Sequence, residues 1–509
     1  MLPRRSLPSF ELRPLRSPAL LAGVVACLLS SQASAQAADA EAPPAAAAPD
    51  QPAAEPAPTP AAAAPPQVAA AVEPKPLEKQ ADAAEPADEP AEKSGWRAEL
   101  FGVAALNVVH DSTQGVGEGL NNNILPRPGS YRTEHDQLQF SARDSRLGMT
   151  VGLPEVSGIQ LSARAEVDFR GITYPEVSEN DLYIFGPIRM RHFYSEAKTS
   201  VVDILAGQYD DLFGWGGAGF YPNTLAYLGV TGQIFHRQPQ VRLTRHQPLG
   251  PIELDVAVAV ARPVQRASGV PDLQGGLKLD VEAWKGARTP GYGKTDVAPL
   301  SLGVSGIYRR IEPKEFLDEP GDSVGDWAWG YAVDALIPVL PAWSKDDVGN
   351  ALTITAEYSN GTGVADMYTE LTGGVLFPTI PNLQGDPIPP LYRPDMDPGI
   401  VTFDGEGRIR TVNWKAFVIG VQYYLPLMKG RISVSGTYSR LQSNNAAALT
   451  PVPFRQAVYD EAEYFDGNVF VRLTDAYRIA GSFQTVKQTF SDRVATRNDR
   501  IQGAIHLFF

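Results

Sequence analysis

Cysteine is almost absent from this sequence. Its 509 residues include one, Cys27, inside an apolar N-terminal stretch. Beyond that stretch no disulfide and no thiolate metal site is possible. Histidine is nearly as scarce. His110, His135, His192, His236, His246 and His506 form no H-x-x-x-H or H-E-x-x-H pair, so the usual zinc-hydrolase spacing is missing. There is no phosphate-cradling G-x-x-x-x-G-K-[ST] loop. Neither an enzyme nor a bound cofactor is expected. The net charge of −14 comes without a basic cluster, which argues against nucleic-acid binding. After residue 35 no eighteen apolar residues run together, which excludes a membrane-spanning helix.

What is present falls into three zones. Residues 1–35 carry Arg4, Arg5, Arg13 and Arg16, then the apolar run Ala19–Leu29, then Ala33-Ser34-Ala35. A basic region, a short apolar core and an A-x-A site describe a signal peptide. Val24-Val25-Ala26-Cys27 weakly resembles a lipoprotein cleavage box, but the apolar run continues through Leu28-Leu29. Residues 36–95 contain no Phe, Tyr or Trp, and hold eleven acids against three lysines. Such a segment buries too little apolar area to offset ordering entropy, and its prolines favour extended polyproline II. It is expected to be a disordered periplasmic linker; the sharper reading is a tether to peptidoglycan or to a periplasmic partner.

Residues 96–509 alternate with period two. Ile159, Leu161, Ala163, Ala165, Val167 and Phe169 interleave with Gln160, Ser162, Arg164, Glu166, Asp168 and Arg170. Val256, Val258 and Val260, then Leu277, Leu279 and Val281, repeat the pattern. A soluble antiparallel sheet alternates too. Strands of nine to eleven residues, an export signal and aromatics near strand ends instead favour a transmembrane antiparallel β-barrel. Trp96, Trp327, Trp329, Tyr331, Trp414, Tyr423, Tyr424 and Tyr438 are the expected girdle residues. Sixteen strand starts are predicted, near Trp96, Asp136, Ile159, Arg189, Val202, Gln238, Ile252, Gly275, Leu300, Trp327, Ala351, Asn413, Arg431, Gly467, Tyr477 and Asp499. Short and long connections alternate, with Trp284–Pro299 and Leu340–Asn350 too long for the rhythm, so fourteen or eighteen strands stay open. In lipid every backbone group must pair, and only a closed sheet has no edge. The fold class is all-β, with one barrel of about sixteen strands and a wet, charged lumen.

The third long outer connection, Asp210–Arg237, is expected to fold into that lumen. Asp210 and Asp211 would then face Arg146, Arg164, Arg170 and Arg242 across the pore, with Arg191 less clearly placed, and set a transverse field. The plainer alternative is solvated loop acids, and inward arginines that merely pair with Glu166 and Asp168. At the C-terminus Ile505, Leu507 and Phe509 face lipid beside inward Arg500, Gln502 and His506, and Phe509 is expected beside Trp96 at the closing seam.

The order Arg143-Asp144-Ser145-Arg146-Leu147-Gly148, Ala165-Glu166-Val167-Asp168-Phe169, Arg191-His192-Phe193-Tyr194-Ser195-Glu196, Leu205-Ala206-Gly207-Gln208-Tyr209-Asp210-Asp211-Leu212-Phe213 resembles the bacterial trimeric outer-membrane porins, the DcaP-like subgroup in particular. That resemblance implies a sixteen-stranded homotrimer in the outer membrane of a Gram-negative bacterium, contacting its lipid and passing small hydrophilic solutes by diffusion. It also implies that Phe509, Leu507 and Ile505 form the membrane-insertion signal. The Ala/Pro tract departs from the coiled-coil stems of that subgroup, and the loop lacks the P-E-F-G-G pattern of general porins. Two other functions fit the sequence: a structural anchor whose acidic linker tethers the envelope, and a substrate-specific channel capped by Gly361–Thr411 with its stiff Asp386-Pro387-Ile388-Pro389-Pro390.

Overall fold

The computed structural model describes residues 95–509 apart from 115, 118–123, 172–186, 227–228, 264–267, 291, 313–324, 370, 372–398, 404–408 and 451. The signal segment, the linker and the Asp386–Pro390 motif lie outside the described residues.

Sixteen wall positions follow one another in chain order. They are β1 Arg97–Asp111, β2 in two pieces (Gln137–Ser141 and Arg146–Gly152), β3 Gln160–Asp168, β4 Arg189–Lys198, β5 Asp203–Asp210, β6 Arg237–Leu249, β7 Ile252–Ala261 and β8 Asp272–Arg288. Then come β9 Asp296–Ile311, β10 Asp326–Leu340, β11 Leu352–Thr362, β12 Asn413–Tyr424, β13 Ile432–Ser443, β14 Tyr459–Arg472, β15 Tyr477–Phe490 and β16 Ala495–Phe508. The two pieces of β2 share one position because both pair with β1: Gln137–Ser141 opposite Asn107–Asp111, and Arg146–Gly152 opposite Arg97–Val103. All pairings are antiparallel, and β1 closes on β16 from Val103↔Phe508 to Asp111↔Arg500. The alternation of the sequence decides the faces. Val256, Val258 and Val260 are exposed on the outside, while Ala257, Ala259 and Ala261 are buried inside.

Four details differ from the sequence expectation. Strands run from 8 residues in β5 to 17 in β8, because several continue past the hydrocarbon layer. The strand expected near Gly467 starts at Tyr459. Phe509 faces Gly102 rather than Trp96, exchanging N–H···O bonds of 3.1 and 3.2 Å with it. The stagger of a tilted barrel carries β1 below that point, where it pairs with β2 alone. A Cβ on Gly102 would lie 2.5 Å from the Phe509 ring, so the seam closes there only on glycine. Finally, Trp327, Trp329, Tyr331 and Tyr438 point outward, and Tyr308 stacks on Trp327 at 4.6 Å, but Trp414 and Tyr424 are buried inside. Both occupy even positions of β12, on the inward face with Ala416 and Val418.

The interior is not lined by solvated wall alone. Segments between strands fold back into the ring, and Phe213, Ile234, Met367, Tyr368, Trp414 and Tyr459 belong to one buried apolar cluster there. One contributor is the third outer connection, residues 211–236. Another is the over-long Trp284–Pro299, most of which is strand. Past Val281↔Leu300 the register shifts, and Lys285–Arg288 pair with Asp296–Pro299. The other long connection, Leu340–Asn350, is held by a Ser344–Asp347 bridge. The even count of sixteen thus needs no extra strand in either place.

Candidate functional site

Residues 211–226 and 229–236 are fastened to the inner wall at several points. The Phe213 N–H donates to Gln274 Oε1 at 2.9 Å and the Gly214 N–H to Ser305 Oγ at 2.8 Å. The Trp215 indole N–H reaches the carbonyls of Leu277 and Val304, both at 3.1 Å. Its ring lies over Gly276 and Gly303, where a Cβ would approach to 2.9 and 2.8 Å. Small wall residues therefore make the seat for the large loop residue. Further along, the Thr224 hydroxyl donates to Asp466, the Leu225 N–H meets Asn468 Oδ1 at 3.4 Å, and the Ile234 N–H meets Glu357 Oε1 at 2.8 Å. The loop thus runs across the inner faces of β8 to β14, with the wall β2–β6 on its other side.

Between that wall and the loop lies a cavity of about 350 Å³. Arg146, Arg164, Arg191 and Arg237 line it from the wall, and Arg288 from the segment after Val281. Glu166 and Asp210 are its two carboxylates. Tyr194, Tyr209, Tyr221 and Tyr292 add phenol rings. Among the described residues, five guanidinium groups against two carboxylates leave a formal excess of three positive charges, histidine not counted. A narrow, low-dielectric-walled space concentrates such a field.

The carboxylates hold the arginines in place. Glu166 takes Arg164 at 2.7 Å and Arg191 at 2.6 Å, and Asp168, fully buried, takes Arg189 at 2.7 Å and Arg191 at 3.1 Å. His192 bridges Glu166 at 3.3 Å and Asp210 at 3.2 Å. Asp210 also faces Arg237 at 3.4 Å. The β3–β4 register shifts between Glu166 and Val167, Glu166 pairing His192 and Val167 pairing Met190. Arg191 is the residue skipped. This bulge re-aims it and lets Arg191 and His192, neighbours in sequence, both reach the lumen side. It is also why both faces of this strand look polar in the sequence.

Of the residues expected at the constriction, Arg146, Arg164, Glu166 and Asp210 border the cavity together. The other four are near it but not on it. Asp168 supports the arginines from behind. Arg170 is held by Asp144. Arg242 is buried, donating to the Asp210 carbonyl at 2.5 Å and to Gln240 Oε1 at 3.1 Å. Asp211 is buried against His236 at 2.5 Å and Gln274 at 3.4 Å. Burial opposes the charge of His236, but the Asp211 carboxylate outweighs it and holds the imidazole pKa above its ordinary value. Acids and arginines therefore share one wall, because Asp210 ends β5, next to β4, rather than riding on the loop opposite. Arg237, Arg288, His192 and Tyr292 were not anticipated. A register pairing of Asp210 with Arg237 follows from a short β5–β6 ladder, and that was the available signal for the first of them.

The described residues thus form a closed sixteen-position antiparallel ring whose third outer connection folds inside. Among solved structures, the outer membrane channel DcaP of Acinetobacter baumannii is similar over 82% of this chain and 98% of that chain, with 16% identity and a TM-score of 0.55. The anion-selective porin from Comamonas acidovorans is similar over 81% of this chain and 100% of that one, with 9% identity and a TM-score of 0.45. No protein-family model and no curated protein matches. At these identities the shared property is the porin barrel fold.

Proposed function

We propose that this protein is an outer-membrane porin that passes small hydrophilic solutes by diffusion and favours anions. The observation that carries this reading is the cavity between the loop and the β2–β6 wall, with its five arginines and two carboxylates. Arg164, Arg191 and Arg237 are fixed by buried acids, so that part of the field is pre-set and costs little reorganisation when an ion enters. Polar, negatively charged solutes gain from it, and apolar ones lose water without compensation. The outward apolar band and the aromatic rings at its edges support residence in a bilayer, and the DcaP-type fold supports the outer membrane as that bilayer. A homotrimer is part of the proposal, on the strength of the porin resemblance in Arg143–Phe213. The inward loop is the element that narrows the lumen.

Planar-bilayer recording of the purified protein tests it. Stepwise conductance, and a reversal potential in a salt gradient of the sign given by anion flow, are expected. Absence of any conductance refutes the channel; a cation-signed reversal potential refutes the arginine reading.

A further inference from the structure

Two features of the wall are unusual. Strand β2 is interrupted at Ala142–Ser145, and the periplasmic hairpin of β8 and β9 is far longer than a turn requires. They meet. The segment after Val281 does not continue down the wall. The register shift opposite Pro299 inserts extra residues on β8, and such a bulge bends a ribbon. Pro299 has no N–H to hold the ladder straight. Outside, the Trp284 indole N–H donates to the Pro338 carbonyl at 2.6 Å and pins the bend.

Beyond it the hairpin crosses the interior. The Ala287 carbonyl accepts the Thr353 hydroxyl at 2.6 Å, the Thr289 N–H donates to Gln422 at 3.0 Å, and the Thr289 hydroxyl lies 2.6 Å from that of Tyr424. These partners belong to β11 and β12. On the far side the Gly293 carbonyl accepts Arg478 of β15 at 3.2 Å. The Tyr292 hydroxyl donates to Asp144 at 2.7 Å, and its ring meets His506 of β16 edge-on at 4.9 Å. Asp144 sits in the gap of β2, where the missing ladder frees its carboxylate to point inward. Asn107 at 2.7 Å and Arg170 complete its partners. The hairpin leaves the ring at β8–β9 and docks at β16, β1 and β2, half a circuit away. Dimensions agree. Sixteen strands spaced ~4.8 Å and tilted ~40° give a ring about 30 Å across. The arm from Glu282 to Tyr292, about ten residues at ~3.3 Å each, is about as long.

We propose that the hairpin Glu282–Pro299 is a second constriction, entering from the periplasmic end, and that Tyr292 on Asp144 is its latch. With the outer loop it bounds the passage on both sides. The two inserts touch where Arg288 donates to the Ala218 carbonyl at 2.9 Å, and Arg288 places the fifth positive charge of the cavity there. Pore size and part of the anion preference are thus set by a strand extension, independently of the outer loop. This rests on the porin reading.

The test is bilayer recording of the wild-type protein, a variant with residues 286–297 replaced by a two-residue Asn-Gly turn, and the pair Tyr292→Phe with Asp144→Asn. Folding of each is followed by heat-modifiable gel migration. The shortened variant is expected to conduct roughly twofold better or more and to admit larger polyethylene glycols in a polymer-exclusion assay. The latch pair keeps the hairpin but is expected to add open-channel current noise. If the wild type is silent and the shortened variant conducts, the hairpin obstructs the passage as proposed, and the reading of the intact protein as an open diffusion channel falls. If both conduct alike and the latch pair is as quiet as wild type, the proposal is overturned and the porin reading survives. If neither conducts, both fall. Should the shortened variant not assemble, unchanged noise and polymer cut-off in the latch pair overturn the proposal.

Discussion

Removing one guanidinium from the cavity should shift ion selectivity by an amount the structure allows one to work out. Arg164 is the natural choice. Its side chain is 35% exposed, and its loss leaves Glu166 with Arg191 at 2.6 Å. A permeating ion passes such a charge at about 7 Å. In water that interaction is ~0.6 kcal/mol, and screening at 0.1 M salt, with its ~10 Å Debye length, halves it to ~0.3 kcal/mol. Arg164→Gln withdraws this from anions and relieves cations of the same repulsion. The difference, ~0.6 kcal/mol, is about RT, so the anion-to-cation permeability ratio falls about threefold. The low-dielectric walls of the cavity make this a floor. Asp210→Asn removes a negative charge from the same space and should raise the ratio. The assay is the reversal potential of each variant in a potassium chloride gradient. Equal potentials in wild type and both variants, or shifts of the same sign in the two, refute the reasoning.

Arg309 is fully buried and joins Asp272 at 2.5 Å on the wall to Asp366 at 2.6 Å in the outer segment after β11. Arg309→Met strands two acids, a loss on the order of 3–5 kcal/mol, and should lower the temperature at which the gel-resolved folded band disappears. The raised pKa of His236 gives the seat of the loop a pH dependence. Its pairing with Asp211 contributes fully below the ordinary imidazole value of ~6.5 and is lost as pH rises through the raised value, so channel noise should grow on the alkaline side and stay flat in His236→Gln. Gly102→Val puts a side chain into the Phe509 ring at the seam and should reduce the yield of folded barrel, whereas Gly95→Val, with nothing within 4 Å, should fold as wild type does.

Much of the wall was legible because lipid imposes a two-residue period. Val256, Val258 and Val260 on one face, and Arg500, Gln502 and His506 on the other, are readable with no tertiary knowledge. The lumen was less legible, since its contents come from contacts between distant segments. Nothing near Trp414 says that its inward face meets a folded-back loop rather than water, so it read as a girdle residue. Asp211 looked like a pore acid because its partners, His236 and Gln274, are 25 and 63 residues away. Arg191 looked ambiguous because a bulge breaks the alternation on which the reading depends. The over-long Trp284–Pro299 was visible as an irregularity, but periodicity carries no information on whether a ribbon points down or inward.

The way the third outer connection is fastened also orders events in time. Thr224 and Leu225 are held by Asp466 and Asn468, 242 and 243 residues further on, and Thr113 of the first outer connection is held by Asn498 after 385. Contacts of such high sequence separation are slow to form, since the intervening chain must first be brought to order. An assembly intermediate that lacks β14 to β16 lacks these bonds altogether. Its loop has only half a seat, and its tyrosine latch has no β16 to rest against. The seating of the loop is therefore the last step of this fold, completed when the final strands close the ring.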